Sequence, residues 1–171
     1  TSGTRIGKLL DAIGWPSSQR NLDTGQTTVQ VDPSTNRTGL AALQNIESTE
    51  YGALYMDALG NFVFKDRLLT SASVAGIPIE FNDNGTGISY NNALWKLDDS
   101  LVFNKATVSR VSGTPQVASN QDSIDKYFLH SYNEQNLMME TDADALDNAR
   151  AYVASRQETS IRCDAVTLDL Y

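Results

Sequence analysis

The chain has one histidine and one cysteine, His130 and Cys163, and both side-chain types often carry nucleophilic or acid–base chemistry. A catalytic His130 would need a nucleophile and a carboxylate beside it. No nucleophile-elbow motif is present. His130 follows a predicted helix, which favours a polar or capping role. Cys163 stands in an alternating apolar stretch, which favours a small core side chain over a reactive thiol.

Carboxylates cluster at two places, Asp98 with Asp99, and Asp142 with Asp144 and Asp147. A pair of carboxylates can hydrolyse a glycosidic bond. The second cluster, however, precedes a predicted helix, whose N-terminal dipole end stabilises negative charge. The first cluster fits a loop. The sequence therefore predicts no catalytic residues, and we expect that the chain is not an enzyme.

Metal and cofactor motifs are incomplete. Residues 82–85 resemble a calcium loop but lack its acidic spacing and its distal glutamate. Residues 85–87 lack the third glycine and the following helix of a dinucleotide fingerprint. Cys163 alone cannot build a thiolate site. We expect no cofactor and no bound metal.

Three aromatic residues fall at loop or boundary positions: Trp15, Tyr90 and Trp95. Large aromatic side chains are enriched at the centres of protein interfaces. The same residues would also suit a sugar-stacking surface or an ordinary core. We take them as candidate interface residues.

Composition limits the classes of partner. The 171 residues are 40% hydrophobic and 20% charged, which is typical of one globular domain or two small ones. The net charge of −8 gives no electrostatic attraction to nucleic acid or to anionic membranes. No apolar run approaches the roughly 20 residues that span a bilayer. We expect neither sequence-specific nucleic-acid binding nor membrane insertion. The chain starts at Thr1, which suggests a fragment or processed form of a longer protein.

The first part of the chain predicts a small α+β unit over residues 1–69. A helix over 5–14 has Ile6, Leu9, Leu10 and Ile13 on one face. A second helix over about 38–51 ends at Gly52 as its C-cap. Segments 54–56 and 62–64 form a hairpin around a glycine-containing turn.

The remaining residues, 70–171, predict a β-rich domain with two packed helices. Strands are expected at 77–81, within 90–112, at 116–118, near 137–139 and at 161–170. Caps at Ser119 and Thr141 start the helices. The second helix carries the stripe Ala145, Leu146, Ala149, Tyr152 and Val153. The apolar phase shifts between Cys163 and Val166, which predicts a bulge. The fold class is α+β.

Ordered blocks along the chain resemble minor tail proteins of siphophages, especially those of actinobacterial hosts. The blocks are RIGKLLDAIGWPSSQRNLDTGQTTVQ, ALQNIESTEYGALYMDALGNFVFKDR, FNKATVSRVSGTPQVASNQDSIDKYF and DADALDNARAYVASR. Arg20 to Gly25 match a basic–acidic step followed by Asp-x-Gly. Lys65, Asp66 and Arg67 match the basic end of the family's hairpin. Phe128 departs from the small residue that the family often has after the aromatic position.

The resemblance implies a hub-like fold and a structural role at the phage tail tip, in assembly and in host attachment or DNA passage. It also implies a trimeric ring of copies, with distal tail and tape-measure proteins as neighbours. Two alternatives stay open. A carbohydrate-binding receptor module would show an exposed aromatic platform. A tail-associated cell-wall hydrolase domain would join His130 or paired carboxylates in a pocket.

Overall fold

The computed structural model describes residues 1–32, 36–70, 80–82 and 86–168, and these residues adopt the predicted α+β fold. The described helices are α1 (Ser2–Ala12), α2 (Gly39–Glu50), α3 (Gln121–Tyr127) and α4 (Asp142–Arg156). The described strands are β1 (Arg20–Leu22), β2 (Ala53–Met56), β3 (Phe62–Lys65), β4 (Tyr90–Asp98), β5 (Lys105–Arg110), β6 (Gln116–Ser119), β7 (Ser131–Leu137) and β8 (Ser160–Leu168).

The first sheet has the order β1-β3-β2, and α1 and α2 pack together against it. The predicted helix–helix–hairpin arrangement is confirmed, but strand β1, parallel to β3, was not predicted. On α1, Ile6 and Leu10 are fully buried, whereas Ile13 is 57% exposed, so the predicted apolar stripe was wrong at its end. The reason is that α1 stops at Ala12 and Gly14, with a φ of 74°, turns the chain away.

Helix α2 ends in a left-handed residue that the sequence placed one position too late. Tyr51, not Gly52, adopts the left-handed conformation, with a φ of 56°. The Tyr51 ring packs against Tyr152 at 5.2 Å between centroids, which holds this less favoured backbone in place. Gly52 is required for a different reason. A Cβ there would lie 2.4 Å from the carbonyl oxygen of Lys65 on β3.

The second sheet has the order β6-β5-β7, with β6 antiparallel and β7 parallel to the central strand. Helix α4 packs on β5 and β6. Thr141 caps α4 by accepting from the backbone N–H of Asp144, as predicted. Most of the predicted stripe is buried, but Leu146 is only half-buried. Asn148, which is 2% exposed, is buried instead because it faces the end of α2.

Helix α3 crosses from β6 to β7 and begins one residue later than predicted. Its cap is Asn120, whose side chain accepts from the backbone N–H of Ser123. Ser119 is instead the last residue of β6, paired with Lys105. The Ser123 hydroxyl donates to the carbonyl oxygen of Gln157, which ties α3 to the end of α4. The element order after residue 100 is as predicted, but the strand expected near 137–139 lies earlier in the chain, as β7.

Residues 137–139 link the two predicted units. Leu137 and Met139 point into the core around α4, whereas Met138 points into the core around α1 and α2. The Met138 N–H donates to the Thr49 hydroxyl, and Asn148 donates to the Thr49 carbonyl oxygen. Both cores therefore share one strand end. The division into domains 1–69 and 70–171 stays a prediction.

Strands β4 and β8 pair with each other as an antiparallel ribbon. Its register shifts at Asp164, between Cys163 and Ala165, which confirms the predicted bulge. The predicted strand 77–81 falls mostly outside the described residues, as do positions 83–85 of the segment that resembles a calcium loop. Phe81 itself forms a parallel bridge with Ile88.

Candidate assembly surface

The paired positions on one face of the β4–β8 ribbon carry uncharged side chains. Directly opposed residues in an antiparallel pair point to the same side, and successive residues alternate between the two sides. The register shifts reverse this alternation, because each inserts one unpaired residue. The register joins Trp95 with Cys163, Leu97 with Ile161, and Ala93 with Val166. We call the following set the ribbon face: Tyr90, Ala93, Trp95, Leu97, Ile161, Cys163, Val166 and Leu168.

The ribbon face is open to solvent in the chain as it stands. Trp95 is 63% exposed, Leu97 69% and Ile161 71%. Exposed apolar side chains that lie together on one face often mark an interaction site. Burying such a face against another protein removes this area from water, and an exposed tryptophan at its centre is the residue type that contributes most to binding.

Two of the three predicted interface residues, Tyr90 and Trp95, belong to the ribbon face, although their spacing in the sequence does not indicate that they share it. Trp15 lies elsewhere and is half-buried against the core around α1 and α2. Its ring meets Phe62 edge to face at 6.2 Å, and its Nε1 donates to the carbonyl oxygen of Gln19. Trp15 stabilises the turn after α1, and an intermolecular contact there stays a prediction.

Cys163 was expected in the core, and this was wrong. It is exposed on the ribbon face opposite Trp95. The alternation correctly predicts that β8 is a strand, but alternation does not determine whether either face of a strand is covered. The thiol therefore reports directly on whether the ribbon face is occupied.

His130 and the carboxylates at the start of α4 have structural partners. The His130 ring nitrogen Nε2 lies 3.1 Å from the carbonyl oxygen of Tyr127, the last residue of α3, so the predicted capping role is confirmed. Asp142 accepts from Arg110 Nε at 2.6 Å and from the Thr114 hydroxyl at 2.6 Å. These hydrogen bonds, with Thr114 the larger cause, hold the pKa of Asp142 below its ordinary value.

Asp144 and Asp147, which follow Asp142 on α4, also have side-chain partners. Asp144 accepts from the cap residue Thr141, and Asp147 pairs with Arg150 one turn later. Asp99 is exposed after β4. Over the described ranges, no three His, Cys, Asp or Glu side chains gather in a way that could hold a metal ion. None of the helices in those ranges has the length and apolarity to cross a membrane.

A tyrosine-rich cluster packs against the core around α4, which we call the second core. Tyr132 and Tyr152 stack with their ring centroids 3.8 Å apart, and Phe103 meets both rings edge to face. Burial raises the pKa of the Tyr132 hydroxyl, and its hydrogen bond to Glu134 adds to the effect. These aromatics fill the space under α4.

Comparison with known proteins adds evidence on the fold. No protein-family model and no curated protein matches the sequence. Among solved structures, the chain is similar to the tail protein of Neisseria meningitidis MC58, with a TM-score of 0.53 and 13% identity over 92% of this chain. It is also similar to the 43 kDa tail protein of prophage MuSo2 from Shewanella oneidensis, with a TM-score of 0.55 and 15% identity over 91% of this chain. The chain spans about half of each, 46%. It therefore shares a fold found in phage tail proteins.

Proposed function

We propose that this chain is a structural component of a bacteriophage tail, a hub-type minor tail protein at the tail tip that assembles with copies of itself into a trimeric ring. The proposal rests on the fold, because two solved tail proteins match about nine-tenths of this chain. Distal tail and tape-measure proteins are its proposed neighbours. Roles in host attachment and DNA passage belong to the same proposal.

The ribbon face supports assembly as the mode of action. Its eight positions carry no charge in a chain whose net charge is −8. Contact between copies through most of the surface would oppose like charges, whereas contact through this face would not. A standard interface buries roughly 800 Å² per partner, and the exposed side chains of the ribbon face would contribute to that area.

A glycan-binding role is less well supported than assembly. Sugar sites combine an aromatic platform with polar groups that bind hydroxyls. Trp95 is the exposed aromatic of the ribbon face, but its neighbours on that face are aliphatic residues and a thiol. The tyrosine-rich cluster does combine aromatics with polar groups, but it packs within the second core.

The tail role is tested by locating the protein in intact virions. Gold-labelled antibodies raised against the chain should mark the tail end farthest from the head in electron micrographs. An antibody against the major capsid protein serves as the positional control. Gold over the capsid, or none on virions whose tails are accessible, would rule out the tail-tip role.

A further inference from the structure

The two predicted units, residues 1–69 and 70–171, are joined by backbone hydrogen bonds. Residues 28–30 of the first unit pair antiparallel with residues 138–140 of the second unit, which follow directly on β7. Two N–H···O=C hydrogen bonds of 2.8 and 2.9 Å hold this pairing. The second unit therefore extends a short strand into the first unit. We call the area of contact between the two units the seam.

Asn148 joins the units at a second place in the seam. It lies on α4 and is 2% exposed. Its side-chain amide donates to the carbonyl oxygen of Ser48 at 3.1 Å and to that of Thr49 at 2.9 Å. Both carbonyl groups belong to the last turn of α2, where carbonyl groups have no partner within the helix. A helix of the second unit thus caps a helix of the first unit, and moving α4 away would break both hydrogen bonds.

Two residues at the end of α2 are also held from the second unit. The fully buried Thr49 hydroxyl accepts from the backbone N–H of Met138 at 3.0 Å. Tyr51 has a left-handed φ of 56°, which is unfavourable for a residue with a Cβ. Its ring packs against Tyr152, and its hydroxyl lies 2.7 Å from that of Ser155, both on α4. The observed end of α2 therefore depends on contacts that a docked α4 supplies.

We propose that the seam is a conformational clamp, in which Asn148 is the positioning residue that holds α4 against the end of α2. The clamp couples the two units, so that neither core opens while the other stays closed. It also fixes the angle between the first and second sheets, because the cap on α2 and the pairing of residues 28–30 hold the first unit at two separate places. The clamp acts within one chain and is independent of the proposed tail role.

Native-state hydrogen exchange of the full chain tests the clamp, because it measures the free energy of opening at individual amides. The most protected amides of β3 report on the core around α1 and α2, and those of β5 report on the second core. In the wild type the two sets should have protection factors equal within about threefold, since one shared opening exposes both. Asn148→Ala should separate the two sets by about 10-fold or more, because the less stable core can then open while the other stays closed.

A second asparagine provides the matched control. Asn133→Ala changes an exposed residue of β7 and should keep the two sets together. Thr49→Val removes the hydroxyl that binds Met138 but keeps a side chain of similar shape, and it should separate the two sets in the same way if Asn148→Ala does not fold.

Two results would overturn the clamp. Loss of protection by the same factor in both sets of Asn148→Ala would mean that Asn148 stabilises the chain as a whole and couples nothing. Clearly different protection of the two sets in the wild type would mean that the units already open separately.

Discussion

Replacing Phe128 by glycine should stabilise the folded monomer. Phe128 has a φ of 64° and a ψ of 176°. This conformation is almost restricted to glycine and costs a residue with a side chain about 1–3 kcal/mol. Glycine avoids this cost but loses about 0.5–1 kcal/mol more conformational entropy on folding than alanine does. The Phe128 ring is 82% exposed, so its removal sacrifices little buried area. The free energy of unfolding of Phe128→Gly should therefore exceed that of the wild type by about 1 kcal/mol.

Phe128→Ala separates backbone strain from loss of the ring. Both variants remove the aromatic side chain, but alanine keeps the Cβ that makes the conformation costly. We expect the glycine variant to be more stable than the alanine variant by about 1 kcal/mol, which reverses the order found at ordinary positions. Urea unfolding followed by circular dichroism, at concentrations where both variants are monomeric, measures the difference. If alanine proves more stable than glycine here, then Phe128 is not strained as described.

Three further results are expected. Glu50→Ala should lower the free energy of unfolding by about 3–5 kcal/mol in urea titrations, because the fully buried carboxylate accepts from a hydroxyl and two backbone N–H groups. The exposed Asp147→Ala should change it by less than about 0.5 kcal/mol, and equal losses would contradict the role of Glu50. Maleimide should modify Cys163 more slowly in assembled chains than in dilute monomers, and equal rates would show an open ribbon face. Asp142 has a lowered pKa, so its contribution is complete at neutral pH and disappears as the pH falls through that pKa. Melting temperatures of Asp142→Asn should therefore decline less between pH 7 and 3 than those of the wild type, and parallel declines would exclude this linkage.

Local patterns were enough to predict most helices and strands. The alternation of β8 located the bulge now seen at Asp164, because an inserted residue shifts the apolar phase. Strand β1 was missed because it has only three residues, of which Leu22 alone is apolar, so its sequence shows no apolar–polar alternation. Its pairing partner β3 lies some forty residues later in the chain, at Phe62 to Phe64, and a sequence window does not contain that contact.

The candidate surface was predicted only in part. Tyr90 and Trp95 were selected by residue type, but their common face depends on the pairing of β4 with the distant β8. The helical spacing of Ile124, Tyr127 and Phe128 predicts that Phe128 shares one helical face with the other two. In the structure α3 ends at Tyr127, and the positive φ of Phe128 turns its ring outward. A side chain one residue beyond the end of a helix can therefore be exposed, although helical spacing predicts that it is buried.

Assembly at the tail tip is tested most directly by a cryo-electron microscopy reconstruction of the intact tail at side-chain resolution. We expect copies of this fold arranged around the tail axis with threefold symmetry, each with its Trp95 ring covered by another protein chain. Copies located away from the tail tip, or tail-tip copies whose ribbon faces remain exposed to solvent, would contradict this expectation.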